Sequence, residues 1–141
     1  EALAKMANGA TFLDLGRSQI GAAGAIAIAD ALPQSKLTRL DVGDNQIGTA
    51  GATAIADALP QSKLTWLHLG GNQIGDVGAS KIAQALPQSK LTLLYLGNNQ
   101  IGDAVKQRLR QKQRLEQCKN AEGVSIRVSV WATIGEWEQE D

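Results

Sequence analysis

Residues 37–63 read LTRLDVGDNQIGTAGATAIADALPQSK and residues 64–90 read LTWLHLGGNQIGDVGASKIAQALPQSK, two copies of one 27-residue unit that differ at nine positions. A third copy occupies residues 10–36 and a fourth begins at Leu91. A fixed period between about 20 and 50 residues marks a solenoid, in which each unit buries its apolar face only against its neighbours. Positions that stay fixed between copies then serve the stack. Those that change are free to serve something else.

Within residues 37–63, Leu37, Leu40 and Val42 predict a short strand, with Leu40 and Val42 facing inward at a spacing of two. Asn45 ends it, its amide suited to bond backbone groups that a sharp turn would leave buried and unpaired. Gly51 suits either tight packing or positive φ at a helix entrance. Ala52, Ile55, Ala56 and Leu59 then form one apolar helical stripe. Pro33, Pro60 and Pro87 are all the prolines of the chain and close the helix in three successive units.

Strand, turn, helix and return loop make a coil with parallel strands on one side and helices on the other. Strands pack about 4.8 Å apart and helices about 8 to 10 Å apart, so the coil curves with its strands inside. The pattern LxxLxLxxNxIGxxGAxxIAxAL, running from Ala10 to about Leu109, resembles the leucine-rich repeat, specifically the long-helix type of ribonuclease inhibitor and NOD-like receptors. The resemblance implies an α/β solenoid arc with strands on the concave face, and binding of a protein partner there. It also implies that Asn45, Asn72 and Asn99 form an asparagine ladder, from which Ser18 departs, leaving the first turn less firmly held. The cysteines that many ribonuclease-inhibitor-type repeats carry are absent, so the likeness is to the fold and not to that inhibitor's activity.

The expected organisation is residues 1–9 as the end of a truncated preceding unit, four repeats over 10–36, 37–63, 64–90 and 91–117, and 118–141 as a capping strand with an acidic tail. Solenoid ends otherwise expose a core face. Val124, Ile126, Val128, Val130 and Ala132 alternate with polar residues and Trp131, as a strand along the open edge after the fourth unit would. Because the sequence opens on Glu1 and not Met, we expect a fragment of a larger protein. We also expect a cytoplasmic location, in keeping with a lone cysteine, Cys118; the alternatives to a recognition module are a structural solenoid segment that self-associates weakly through its ends, and a pathogen effector-type inhibitor that docks on a host protein.

The candidate site comes from the columns that vary. The third position of the unit reads Phe12, Arg39, Trp66, Leu93; the fifth reads Asp14, Asp41, His68, Tyr95; the eighth reads Arg17, Asp44, Gly71, Asn98. Three of the five aromatic residues and the only histidine fall here. Outward aromatics and an arginine on a rigid sheet have the composition of an interface hot spot, so Phe12, Asp14, Arg17, Arg39, Asp41, Asp44, Trp66, His68, Leu93, Tyr95 and Asn98 are taken as partner-binding. Packing offers a second account, since Arg39 can lie between Phe12 and Trp66 as a cation–π sandwich. The fixed glycines Gly16, Gly43, Gly70 and Gly97 are read as a backbone requirement at the strand end rather than as a channel. The Thr11, Thr38, Thr65, Thr92 and Gln19, Gln46, Gln73, Gln100 series are read as stacking ladders.

Other classes find little support. The 14 basic and 14 acidic residues cancel, so no whole-molecule field draws nucleic acid or an anionic membrane. No apolar run reaches the roughly 18 residues of a membrane span. Lys106, Arg108, Arg110, Lys112 and Arg114 form a basic run, but no aromatic residues interleave to stack bases, so a solvated face is expected there. Asp41, His68 and Asp14 could be drawn as an acid–base pair or as metal ligands, yet no nucleophile shares their columns and Cys118 lies beyond the helical repeats. GxxxxGK[ST] does not occur. The expectation is a non-enzymatic protein-binding module with no cofactor or metal.

Overall fold

The computed structural model describes residues 2–109 and 127–129. Each unit contributes a three-residue strand and, after a turn, a helix. The strands are β1 (Phe12–Asp14), β2 (Arg39–Asp41), β3 (Trp66–His68) and β4 (Leu93–Tyr95). A short helix α1 (Ala2–Ala7) precedes them, α2 (Gly21–Ala31), α3 (Gly48–Ala58) and α4 (Gly75–Ala85) alternate with them, and α5 covers residues 103–109. The strands form one parallel sheet in sequence order, closed on its far side by β5 (Arg127–Ser129). This is the α/β solenoid arc of the repeat pattern.

The strands are shorter than Leu37–Val42 suggests, because Leu37 and Val42 are buried but flank the paired segment. The middle residue of each strand, Leu13, Leu40, Leu67 or Leu94, turns into the core, and its two neighbours point the other way. Register is exact to the unit: Phe12 opposes Arg39, which opposes Trp66, which opposes Leu93. The step to β5 differs, since Leu93 opposes Arg127, 34 positions on rather than 27. The rest of the expected strand over 124–132, the basic residues from 110 onward, Cys118 and the acidic tail lie outside the described residues.

The helices begin at Gly21, Gly48 and Gly75, three residues before the glycine read as the entrance. Positive φ sits at these first glycines, at 63°, 63° and 69°. The N–H of each donates to the asparagine carbonyl of the next unit, as Gly48 does to Asn72 at 2.9 Å. Gly51 serves packing instead: a Cβ there would stand 2.9 Å from Ile47 Cβ and 3.0 Å from Ala25 Cβ, so its absence is what lets α3 close on α2. The stripe Ala52, Ile55, Ala56 and Leu59 is buried. α2, α3 and α4 each run into a 3-10 turn carrying the proline, such as Leu59–Gln61.

The asparagines work one unit back. Asn45 Oδ1 accepts the N–H groups of Ser18 and Ile20, and its Nδ2 donates to the carbonyls of Leu15 and Gly43. Asn72 and Asn99 repeat the pattern for the second and third units. The turn at Ser18 is therefore held by Asn45, and what serine lacks is the reach toward a preceding unit; its Oγ donates only to Gly16 O at 3.4 Å. Threonine hydroxyls form a real ladder, Thr38 to Thr11, Thr65 to Thr38 and Thr92 to Thr65. The glutamines do not. Gln19, Gln46, Gln73 and Gln100 are exposed at φ of 55° to 57°, so their constancy does not come from stacking bonds.

Candidate functional site

The variable columns lie together on the outward side of the strands because alternate strand residues share a face. The third and fifth positions flank each buried leucine, so Phe12, Arg39, Trp66 and Leu93 make one row and Asp14, Asp41, His68 and Tyr95 the next. Phe12 is 50% exposed, and Trp66, His68, Leu93 and Tyr95 are half-buried.

Two packed groups divide the face. Toward β1, the Arg39 guanidinium lies 5.0 Å from the Phe12 ring centroid and 4.9 Å from that of Trp66, a sandwich worth about 0.5–1 kcal/mol per contact at an exposed site. Toward β4, Trp66, His68 and Tyr95 form a triangle. Trp66 and Tyr95 meet edge-on at 6.0 Å, His68 lies 5.4 Å from Tyr95, and Trp66 and His68 are 6.1 Å apart. Such mutual contacts fix the rotamers of large side chains before any partner arrives, which lowers the entropy lost on binding.

The fifth-position side chains fold over the fixed glycines. Asp14 Oδ1, Asp41 Oδ1 and His68 Nδ1 accept the N–H of Gly16, Gly43 and Gly70 at 3.0, 2.9 and 3.3 Å. A Cβ at Gly43 would stand 2.8 Å from His68 Cε1, and one at Gly70 would stand 2.9 Å from it. Gly16, Gly43 and Gly70 have no positive φ, so a left-handed backbone is not the reason for glycine. Gly43 and Gly70 are the floor on which the His68 ring rests, whereas a Cβ at Gly16 would meet its nearest neighbour, Asp14 Oδ1, at an ordinary 3.4 Å. Gly43 and Gly70 were missed as site residues. An acceptor side chain two residues before a fixed glycine was the available signal, being the spacing of an Asx turn.

The eighth column has a different cause. Arg17, Asp44 and Asn98 take φ of 56°, 57° and 58°, and Gly71 takes 69°. Left-handed backbone favours Gly, Asn and Asp, so three of the four residues satisfy the turn itself and the variation there reflects conformation as well as surface. Arg17 reaches Asp44 at 3.6 Å, an exposed pair worth little. Asp41 finds His68 at 3.6 Å. Arg39 is taken up by the rings and relieves neither carboxylate of the fifth column through a close ion pair. Among the described residues, no group of three or more His, Cys, Asp and Glu is placed to hold a metal ion, and no helix is long and apolar enough to cross a membrane.

A family model described as Leucine Rich repeat matches residues 11–29, 34–56, 61–83 and 88–104, together more than half of the chain. The chain belongs to the leucine-rich repeat family. The sequence finds no match among curated proteins. The four matched segments follow the four strand–turn–helix units in order, each containing one of β1 to β4 and ending within the helix after it. Leucine-rich repeats generally mediate protein–protein interaction and are typically not enzymes.

Proposed function

We propose that this leucine-rich repeat chain is a non-enzymatic recognition module that docks a protein partner on its concave strand face. The observation that carries the reading is the Trp66–His68–Tyr95 triangle. Three large rings stand half-exposed on a rigid parallel sheet whose other face is built from leucine. The core would be equally well filled without them. Their residue types and central position on the sheet are those of hot spots that dominate interface energies. The ribonuclease-inhibitor and NOD-like receptor types, toward which the repeat pattern leans, use this face in the same way. By that likeness the chain would be the docking part of a larger intracellular protein.

The test replaces Trp66 and Tyr95 together with Ala and compares capture of partners from a cell extract with that by the unaltered chain. Val77→Asp, at a site 62% exposed on α4, serves as the control. Loss of capture by the double variant alone, with circular dichroism unchanged, supports the reading; equal capture by both variants sinks it. Loss of each ring should weaken binding by about 2 kcal/mol, roughly thirtyfold.

The sandwich of Arg39 between Phe12 and Trp66 supports a second role for part of the same row. Phe12 and Arg39 would stabilise the sheet whether or not a partner is bound, so their replacement should lower stability slightly even in its absence.

A further inference from the structure

The fifth column is a row of acceptors. Asp14 Oδ1, Asp41 Oδ1 and His68 Nδ1 each take the N–H of the glycine two residues on. The same His68 Nδ1 lies 3.6 Å from Asp41 Oδ1. Asp14 and Asp41 stand directly opposite each other on β1 and β2, and like charges so placed destabilise a strand pair. Among the described residues neither has Arg or Lys as an ion-pair partner: Arg17 is held by Asp44, and Arg39 is stacked between Phe12 and Trp66. The second oxygen of each carboxylate likewise has no donor among those residues.

The triangle next to this pair cannot itself take a cation between its rings. In the Arg39 sandwich the guanidinium carbon needs about 5 Å to each of two rings, whereas the triangle's centroids are only 5.4 to 6.1 Å from one another. It is a platform, suited to an apolar or aromatic side chain laid on top.

We infer that the face selects a basic partner segment, which places a Lys or Arg side chain between Asp14 and Asp41 and an apolar or aromatic side chain on the Trp66–His68–Tyr95 platform. The inference rests on the concave-face reading and gives it a partner class. Its physical basis is charge complementarity. A cation relieves the repulsion built into the Asp14–Asp41 pair and supplies donors to the two free carboxylate oxygens. From the acid pair to the platform is about two strand steps, roughly 10 Å, which an extended chain spans in about three residues. The two anchors should therefore recur at that spacing in any partner.

A random peptide library displayed on phage and selected on the full chain tests this, with enriched peptides synthesised and titrated by calorimetry. Enriched sequences should carry Lys or Arg about three residues from an aromatic or large aliphatic residue. Their affinity should fall at least tenfold for the D14N/D41N variant, and fall as salt is raised from about 0.05 to 0.5 M. Peptides that lack a basic residue, or that bind D14N/D41N as well as the unaltered chain, overturn the inference. If those peptides still lose binding to W66A/Y95A, the concave-face reading survives without it; if they do not, both fail. Failure to enrich any peptide that competes at this face also counts against the inference. So does light scattering that shows a dimer dissolved by D14N/D41N, since the occupant would then be a second copy.

Discussion

Asn72 is fully buried, and its side chain takes part in five hydrogen bonds, accepting from the N–H groups of Asn45 and Ile47 and donating to the carbonyls of Val42, Leu69 and Gly70. Asn72→Ala would leave donors and acceptors of two units without partners away from water, each costing about 1–3 kcal/mol. We expect a total loss of about 3–5 kcal/mol, measurable by urea denaturation, with the turn after β2 losing amide protection before the turn after β1. Uniform loss of protection would contradict the backward reach of the ladder. Gly70→Ala tests the other constant position. Its methyl group would occupy the space of His68 Cε1, so the ring must leave the floor and the bond from Gly70 N–H must break. Because His68 is partly exposed, stability should change by less than about 1 kcal/mol, while the ring proton resonances of His68 and Tyr95 shift. Unchanged resonances would mean that the ring does not rest on the glycine.

At the scale of one helix, two glycines three residues apart do opposite jobs, and α3 separates them. Gly48 has positive φ and nothing within 4 Å of where a Cβ would be, whereas Gly51 has ordinary φ and two side chains within about 3 Å. Gly48→Asn should therefore be tolerated with a loss below about 1 kcal/mol, because Asn enters the left-handed region readily. Gly51→Ala should cost about 1–3 kcal/mol by overpacking against Ile47 and Ala25. Thermal melts of the two variants check the order, and the reverse order would refute the assignment. The same contrast shows what could be read from the residues. Apolar spacing placed the helical stripe, the inward leucines and the variable columns, because burial leaves a period of its own in the sequence. Which glycine opens the helix was not legible within the first three units, where both are glycine and a missing side chain records a constraint without naming its kind; the fourth unit keeps Gly102 but carries Val105. The Gln46 series misled for a similar reason: constancy there accompanies left-handed backbone and exposure, with no stacking bond to account for it. In the fifth column the residue types were legible, but the fold of Asp41 and His68 over their glycines depends on χ angles that periodicity does not carry.

For the whole molecule, the consequence of exact register is that units should be removable. Neighbours in a solenoid contribute their own stability plus an interface term, and here each interface repeats the same elements: a leucine on a leucine, a threonine hydroxyl on a threonine carbonyl, an asparagine amide on the turn before it. Deleting residues 64–90 removes one full period and brings β4 beside β2. Leu94 would then pack on Leu40, Thr92 would reach Thr38, and Asn99 would take over the N–H groups of Asn45 and Ile47. The shortened chain should fold with the same far-ultraviolet dichroism per residue. Its dependence on urea should fall by about a fifth, because that dependence scales with the surface exposed on unfolding. Its proposed recognition face should not survive. Arg39 would keep only the Phe12 ring, Asp41 would lie beside Tyr95, and the platform would lose two of its three members. Folding retained with binding lost would separate what the repeat holds constant from what it varies. A chain that fails to fold would show that the outer units depend on this particular neighbour and not on the repeat as such, and binding retained at full affinity would remove the platform from the proposed function.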